Sequence, residues 1–397
     1  MSRTVFYDVP RGVLATLLDQ VGQPEALSPR PLMGDAATLA KHHLAELHAG
    51  GFLELPVDGT FRPTPEFSRA ARVILAPHTT VNLRAWRDEA ACAETSLLFP
   101  QNILEEDGVV LNQIDGSYRI SAPAGRDELV NLLGGLLPPG TDEPGVFEFE
   151  AHLDGPVAAT FCGLLDLLRR QGGGSATGVD AGQLGAYLAG RWGLTGFDSL
   201  VSYVTVIGSM PKPPALNMVE FSLGALTGAG IVADSAGVCT LAPAFKPMLE
   251  LIPAVMPGLQ WQRVSDTDGD ALLTSHRIFI FGKNGWILRF APSSRGRIFI
   301  SSMTAGQALD ELVDELATMV PRRAGKPAPP APGTEAQGAR RCPACGQPQD
   351  GSRKFCTACG APIPAGAALQ DEAHRCKVCN APMAPGKRFC TQCGAAR

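Results

Sequence analysis

Two stretches of the chain, offset by about 180 residues, carry the same succession of apolar and polar positions. The first, LAELHAGGFLELPVDGTFRPTPEF, begins at Leu44, and the second, LGALTGAGIVADSAGVCTLAPAF, at Leu223. Leu44 and Leu47 align with Leu223 and Leu226, and Gly51-Phe52-Leu53 aligns with Gly230-Ile231-Val232. After a one-residue gap, Gly59, Pro65 and Phe67 align with Gly237, Pro243 and Phe245. Each block predicts a helix ended by glycine, a hairpin turned at Asp58-Gly59 or Ala236-Gly237, and a second helix.

The correspondence continues through three strand-like runs in each copy. They are Leu97-Leu98-Phe99, Val109-Val110-Leu111 and Tyr118-Arg119-Ile120, then Ile278-Phe279-Ile280, Trp286-Ile287-Leu288 and Ile298-Phe299-Ile300. Asn284-Gly285 is a strong hairpin signal in the second set. Each set leads into a helix bearing the same tetrapeptide, Asp127-Glu128-Leu129-Val130 or Asp310-Glu311-Leu312-Val313. The pattern predicts an α+β fold with an internally duplicated body, residues 1–170 and 179–320, whose halves share one antiparallel sheet with flanking helices. The glycine-rich stretch at 171–178 connects them, and it lacks the Lys-Ser/Thr of a phosphate-binding loop.

The helix–hairpin units look like winged helices, but their candidate groove-reading helices do not suit DNA. Residues 37–49 offer one lysine and three histidines beside Glu46, and residues 214–226 offer no basic residue. A major-groove helix needs Arg, Lys, Asn or Gln directed at bases and phosphates. Both helices are expected to be buried core.

Charge separates the chain into unlike parts. From residue 321 on there are 12 Lys and Arg against 4 Asp and Glu, formally +8; residues 1–320 hold 22 against 35, formally −13. The acidic body should not attract nucleic acid. Residues 321–341, rich in Pro, Ala and Gly without apolar periodicity, predict an extended flexible linker. The first residues form no secretory signal, and no stretch matches the unbroken apolar run of a membrane helix. The expectation is a cytoplasmic protein without membrane insertion.

The tail carries the most specific chemistry. Eight of the 11 cysteines form two copies of C-x2-C-x10-C-x2-C: Cys342, Cys345, Cys356 and Cys359, then Cys376, Cys379, Cys390 and Cys393. Two such pairs complete a tetrahedral four-thiolate site, which suits Zn²⁺. Gly346, Gly360 and Gly394, with Asn380 in the remaining pair, follow second cysteines and tolerate the positive φ of such turns. Segments this short cannot bury enough apolar area to fold alone, so the metal supplies the folding energy. Disulfides or free thiols are the alternatives, and an intracellular setting argues against disulfides. The expectation is two structural Zn²⁺ ions in modules at 342–361 and 376–397. With the two four-thiolate sites counted, the tail's formal charge falls to about +4.

The segments CPACGQPQDGSRKFCTACGAPI and CKVCNAPMAPGKRFCTQCGAAR resemble the double zinc ribbon family over residues 342–394. That resemblance implies a module that contacts protein or nucleic acid, or is purely structural. The order of elements from LHAGGFLELPVDGTFRPTPEFSRAARVILAPHTTVNLRAW through SYRISAPAGRDELVNLLGGLLPPG, with its second copy, resembles the EspG-type chaperones of ESX (type VII) secretion systems. That likeness implies an acidic, secretion-associated cytosolic chaperone of two pseudo-symmetric α+β halves.

Catalytic signatures do not emerge. There is no G-x-S-x-G, H-E-x-x-H or dinucleotide fingerprint. His42, His43, His48, His78, His152 and His276 are scattered; His374, near Cys376, reads as exposed. SDTDGD at 265–270 reads as an exposed turn, and Cys92, Cys162 and Cys239 lie in apolar contexts and read as small core residues. The sequence therefore predicts a non-enzymatic adaptor or chaperone, with no small-molecule substrate evident. The body would bind a protein client and the ribbons a second partner. The alternative is a nucleic-acid-associated regulator contacting phosphates through Arg353, Lys354, Lys387 and Arg388.

Overall fold

Val81 and Leu83, Leu97 and Phe99, Leu259 and Trp261, and Phe279 and Phe281 recur at every second position of four runs, and all eight are buried. That is the period of strands with one face against a core. The structure is a computed structural model. It describes residues 5–35, 41–55, 62–88, 92–101, 108–139, 147–172, 178–194, 198–267, 270–319, 340–341 and 348–349.

The chain first lays down β1 (Val5–Pro10), α1 (Arg11–Val21), α2 (Lys41–Ala49), β2 (Leu53–Glu54), β3 (Arg62–Pro63) and α3 (Pro65–Leu75). It continues through β4 (Thr79–Trp86), β5 (Cys92–Phe99), β6 (Gly108–Ile114), β7 (Ser117–Ala124) and α4 (Arg126–Leu136). Then come β8 (Glu150–Asp154), α5 (Gly155–Arg170), α6 (Ala181–Arg191), α7 (Leu200–Gly208) and α8 (Leu216–Gly228). Next are β9 (Val232–Ser235), β10 (Val238–Leu241), α9 (Pro247–Leu251), β11 (Gly258–Thr267) and β12 (Asp270–Phe281). The body ends with β13 (Trp286–Pro292), β14 (Arg297–Thr304) and α10 (Ala305–Met319).

One antiparallel sheet of ten strands runs β1-β7-β6-β5-β4-β11-β12-β13-β14-β8. The order mirrors about the β4–β11 seam: 1-7-6-5-4 inward from one edge, 8-14-13-12-11 from the other. At the seam, Trp86 pairs with Gly258 and Thr79 with Ser265. The six expected strand runs lie on β5, β6, β7, β12, β13 and β14. The two DELV tetrapeptides lie on α4 and α10, whose buried Leu129 and Leu312 join one core against the sheet.

The helix–hairpin junctions show why the same residues recur. Gly51 and Gly230 have φ of 78° and 73°, which a side chain disfavours. Phe52 then donates its backbone N–H to Leu47 O, and Ile231 donates to Leu226 O, closing α2 and α8 alike. Ala236 and Gly237 turn the β9–β10 hairpin with positive φ, as expected, whereas Asp58 and Gly59 lie outside the described residues.

β8 and α5 fall within residues 1–170, yet both attach to later elements. β8 pairs with β14, and α5 packs on α6, α7 and α8. The cause is apolar content: α5 buries residues on nearly every side, so it needs neighbours all round. α8 departs from the expectation of core. It buries Val219, Leu223 and Leu226 but exposes Leu216, Met218 and Phe221.

Residues 1–323 form one compact unit and residues 324–397 another. In the second, β15 (Arg340–Arg341) pairs antiparallel with β16 (Pro348–Gln349). The expected linker at 321–341 otherwise lies outside the described residues, as do all eight tail cysteines. No helix among the described residues is long and apolar enough to cross a membrane.

Candidate functional site

The two faces of the central strands differ sharply. On one face, Val81, Leu83, Leu97, Phe99, Leu259, Trp261, Phe279 and Phe281 are sealed by α4 and α10. Arg277 Nε reaches Glu311 Oε1 at 2.6 Å, Arg277 also pairs with Glu315, and Arg289 pairs with Glu311, tying α10 down.

On the other face, the helices among the described residues cover only the flanks. One cluster gathers Leu14, Leu18, Phe67, Ile74 and Leu98 with their neighbours. The other gathers the α5, α7 and α8 residues over β13 and β14. Between them the strand register sets out a floor in rows. Cys92, Trp86, Gly258 and Ile280 make the first row; Glu94, Arg84, Gln260 and Ile278 the second; Ser96, Asn82, Gln262 and His276 the third. Asn82, Arg84, Cys92 and Glu94 are exposed, and Ser96, Gln260 and Gln262 are half-buried.

The floor is internally hydrogen-bonded. Ser96 Oγ donates to Asn82 Oδ1 at 2.9 Å, and Arg84 Nε donates to Cys92 Sγ at 3.1 Å. The amide nitrogens of Gln260 and Gln262 reach His276 Nε2 at 2.9 and 3.3 Å. Burial lowers the His276 pKa to about 4, so the ring is neutral at physiological pH and Nε2 accepts. A partner that covers the floor can leave the Ser96–Asn82 and Gln260–His276 hydrogen bonds in place, so those groups need no new partners.

One wall of the trough encloses a cleft of about 580 Å³. Trp86, Trp192, Leu194, Tyr203, Val206, Met210 and Ile278 give it an apolar lining, with Arg84, Ser202, Thr205 and Gln260 at intervals. Trp86 stacks on Tyr203 at 5.7 Å and 18° between ring planes, and its Nε1 donates to Met256 O at 2.8 Å. Leu194 and Val206 at the cleft are 51% and 43% exposed.

Behind α7 lies a buried carboxylate. The Asp166 side chain is wholly buried and accepts from Ser199 Oγ at 2.7 Å and from the Val201 backbone N–H at 3.4 Å. Burial pushes its pKa up, and the hydrogen bond from Ser199 opposes that. Arg169 lies beside it and donates to Pro253 O, Ala254 O and Asp198 O, fixing the loops next to the cleft.

The histidines stay apart. His48 Nδ1 lies 2.9 Å from Leu53 O, His152 meets Ser293 at the sheet edge, and His276 belongs to the floor. The side chains of His42 and His43 lie outside the described set, as does His374. Ser265 to Thr267 close β11 and Asp270 opens β12, with 268–269 outside the described residues. No group of three or more His, Cys, Asp or Glu is placed to hold a metal among the described residues. Cys162 and Cys239 are buried as expected, but Cys92 is exposed. It opens β5, paired with Trp86 of β4 and hydrogen-bonded by Arg84.

The trough residues Arg84, Trp86, Tyr203 and Gln260 were not singled out by sequence reasoning. For Arg84, Trp86 and Gln260 the available signal was alternation, since β4 and β11 are apolar on one side and polar on the other, the mark of a half-covered strand; Tyr203, on α7, had no such signal.

For the ribbons, the β15–β16 pairing sets Arg341 opposite Pro348, and the six residues between them include Cys342 and Cys345. A donor set of two cysteine pairs per module fits a thiolate-bound zinc ion. The double zinc ribbon family profile matches residues 342–394, which implies zinc binding. No curated protein matches the chain. Among solved structures, the chain is similar to the Mycobacterium tuberculosis type VII secretion system chaperone EspG5 in complex with a PE25-PPE41 dimer. That match has 11% identity and a TM-score of 0.44, and covers 81% of this chain and 98% of that chain.

Proposed function

We propose that the protein is a non-enzymatic cytoplasmic adaptor of chaperone type, which holds a protein client in the trough and meets a second partner through its zinc ribbons. The observation that carries this reading is the contrast between the sheet's faces. One is sealed by α4 and α10, while the other is left open beside an aromatic cleft with exposed Leu194 and Val206. Exposed apolar rims around aromatic pockets are what protein interfaces use. The floor residues satisfy one another rather than converging on a reacting atom, which favours binding over chemistry.

In this proposal the eight tail cysteines hold two Zn²⁺ ions, one per module. Four thiolates close each site, so the metal supplies folding energy and no open coordination position. The body is read as a duplicated unit, supported by the mirrored strand order and the paired Gly51 and Gly230 junctions. The boundary between halves is then placed between α4 and β8.

The test is co-purification from the native host with the full chain. Val206→Glu, at an exposed position, should abolish recovery of a stoichiometric protein partner while leaving the far-UV circular dichroism unchanged. Recovery that is equal with and without the substitution would sink the trough as the client site. Absence of any partner on body or tail would sink the adaptor reading.

A further inference from the structure

The aromatic cleft is roomier than one anchoring side chain needs. Its volume of about 580 Å³ falls in the range of small-molecule pockets, roughly 300–1,000 Å³. Trp86, Trp192 and Tyr203 give it flat apolar walls, and the Trp86 and Tyr203 rings lie within 18° of parallel. Walls of that kind suit a planar guest.

Not every polar group at the cleft is available to such a guest. Ser202 Oγ donates to Leu194 O at 2.7 Å and Thr205 Oγ1 to Ser202 O at 2.8 Å, so both hydroxyl protons are engaged by the chain itself. Gln260 directs one amide proton to His276 Nε2, and its nitrogen carries a second. Arg84 brings the one formal charge of the lining, and no acidic residue lines the cleft among the described residues. Its ion pair with Glu94 is long, at 3.7 Å, with side chains 49% and 57% exposed. A pair so solvated contributes little, and a guanidinium has donors enough to share. Arg84 and Gln260 are partners across the β4–β11 seam, on one face of the sheet. Opposed positions of that kind hold their Cβ atoms about 4.5–5.5 Å apart, a gap that a carboxylate can bridge with one oxygen toward each side chain.

We propose that the cleft binds a small planar aromatic monocarboxylate, its ring among Trp86, Trp192 and Tyr203 and its carboxylate on Arg84 and Gln260. Charge selects this class. An aromatic amine would meet Arg84 with like charge, and a neutral aromatic gains nothing from the guanidinium, whereas a carboxylate takes charge-assisted hydrogen bonds from it. The inference stands apart from the client reading, because it concerns the protein alone.

The experiment is isothermal titration calorimetry on the full chain, with 2-naphthoate and the neutral 2-naphthylmethanol as probes. 2-Naphthoate should saturate a single site with a dissociation constant of about 1 mM or below, the affinity expected for a ligand of its size. The alcohol, with the same rings and no charge, should bind about tenfold or more weakly. Arg84→Met should erase that preference by weakening the acid alone, and Trp192→Ala should weaken both probes. Phe221→Ser, at an exposed aromatic outside the cleft, should change neither. The unfolding midpoint verifies that each variant keeps its fold, and Arg84, being exposed, can be replaced without opening the core. Equal affinity for acid and alcohol overturns the inference, as does an acid preference that survives Arg84→Met. Absence of single-site saturation, binding indifferent to Trp192→Ala, or binding lost with Phe221→Ser overturns it as well.

Discussion

Gly258 stands at the β4–β11 seam, and replacing it with alanine is the most direct test of how the sheet is joined. A Cβ there would lie 2.5 Å from Phe279 O and 2.6 Å from Trp86 Cζ2. Neither obstacle can yield easily. Phe279 O is backbone of the adjoining strand, and Trp86 is held by its stack on Tyr203 and its bond to Met256 O. Overpacking of this kind costs roughly 1–3 kcal/mol, and an obstructing main chain puts it near the top of that range. Alanine recovers about 0.4–1 kcal/mol by restricting the unfolded chain, leaving a net loss of about 2 kcal/mol. Gly134→Ala is the matched control: the site is on α4, where a Cβ meets nothing within 4 Å. It should stabilise by about 0.5–1 kcal/mol. Equilibrium denaturation of the full chain, followed by tryptophan fluorescence, reads both. A Gly258→Ala midpoint equal to or above wild type, with Gly134→Ala behaving as stated, would falsify the steric account of the seam.

Other consequences are as definite. Glu311→Gln removes the anion shared by Arg277 and Arg289, whose side chains are 22% and 14% exposed, and should lower stability by about 2–3 kcal/mol, because Glu315 still holds Arg277; an unchanged denaturation midpoint would refute it. The Asp166 pKa is raised in the fold, so the stability tied to it is fullest below its ordinary value of 3.8 and is lost as pH rises through the raised value. Asp166→Asn removes that loss, so the variant should gain on wild type with increasing pH, and a difference that is flat or moves the other way counts against the assignment. Chelation should strip zinc from the tail and leave the unfolding transition of residues 1–323 in place, as read by differential scanning calorimetry beside metal analysis; a body transition that drops with the metal would contradict this.

Much of the fold was legible where apolar runs were dense. Leu97 to Phe99, Trp286 to Leu288 and Ile298 to Ile300 are all strands, because β-branched and aromatic runs between turn signals have few other uses. The central strands were harder to see. In Thr79–Trp86 and Gly258–Thr267 the side facing the trough is polar, so neither forms an apolar block, and only period-two alternation marks them. β8 was hidden for the same reason: Glu150, His152 and Asp154 give it an edge strand's polar composition. α8 misled in the opposite direction, since a helix with almost no charge reads as core, yet it leaves Leu216, Met218 and Phe221 exposed. The aromatic cleft beside the floor was not legible, because Trp86 and Tyr203, which stack face to face there, are 117 positions apart in the sequence.

The seam between β4 and β11 also governs how the protein is made. Residues 79–86 leave the ribosome long before residues 258–265 exist to pair with them. At about 5–20 residues per second, the delay is roughly 10–35 s. Throughout that interval β1 and β4 to β7 can assemble, but β4 presents an unpaired edge of eight residues to its surroundings. The nascent half-sheet is thus a template for strand addition until its own continuation arrives. Translation speed and holdase access over residues 87–257 therefore set how long that edge stays open.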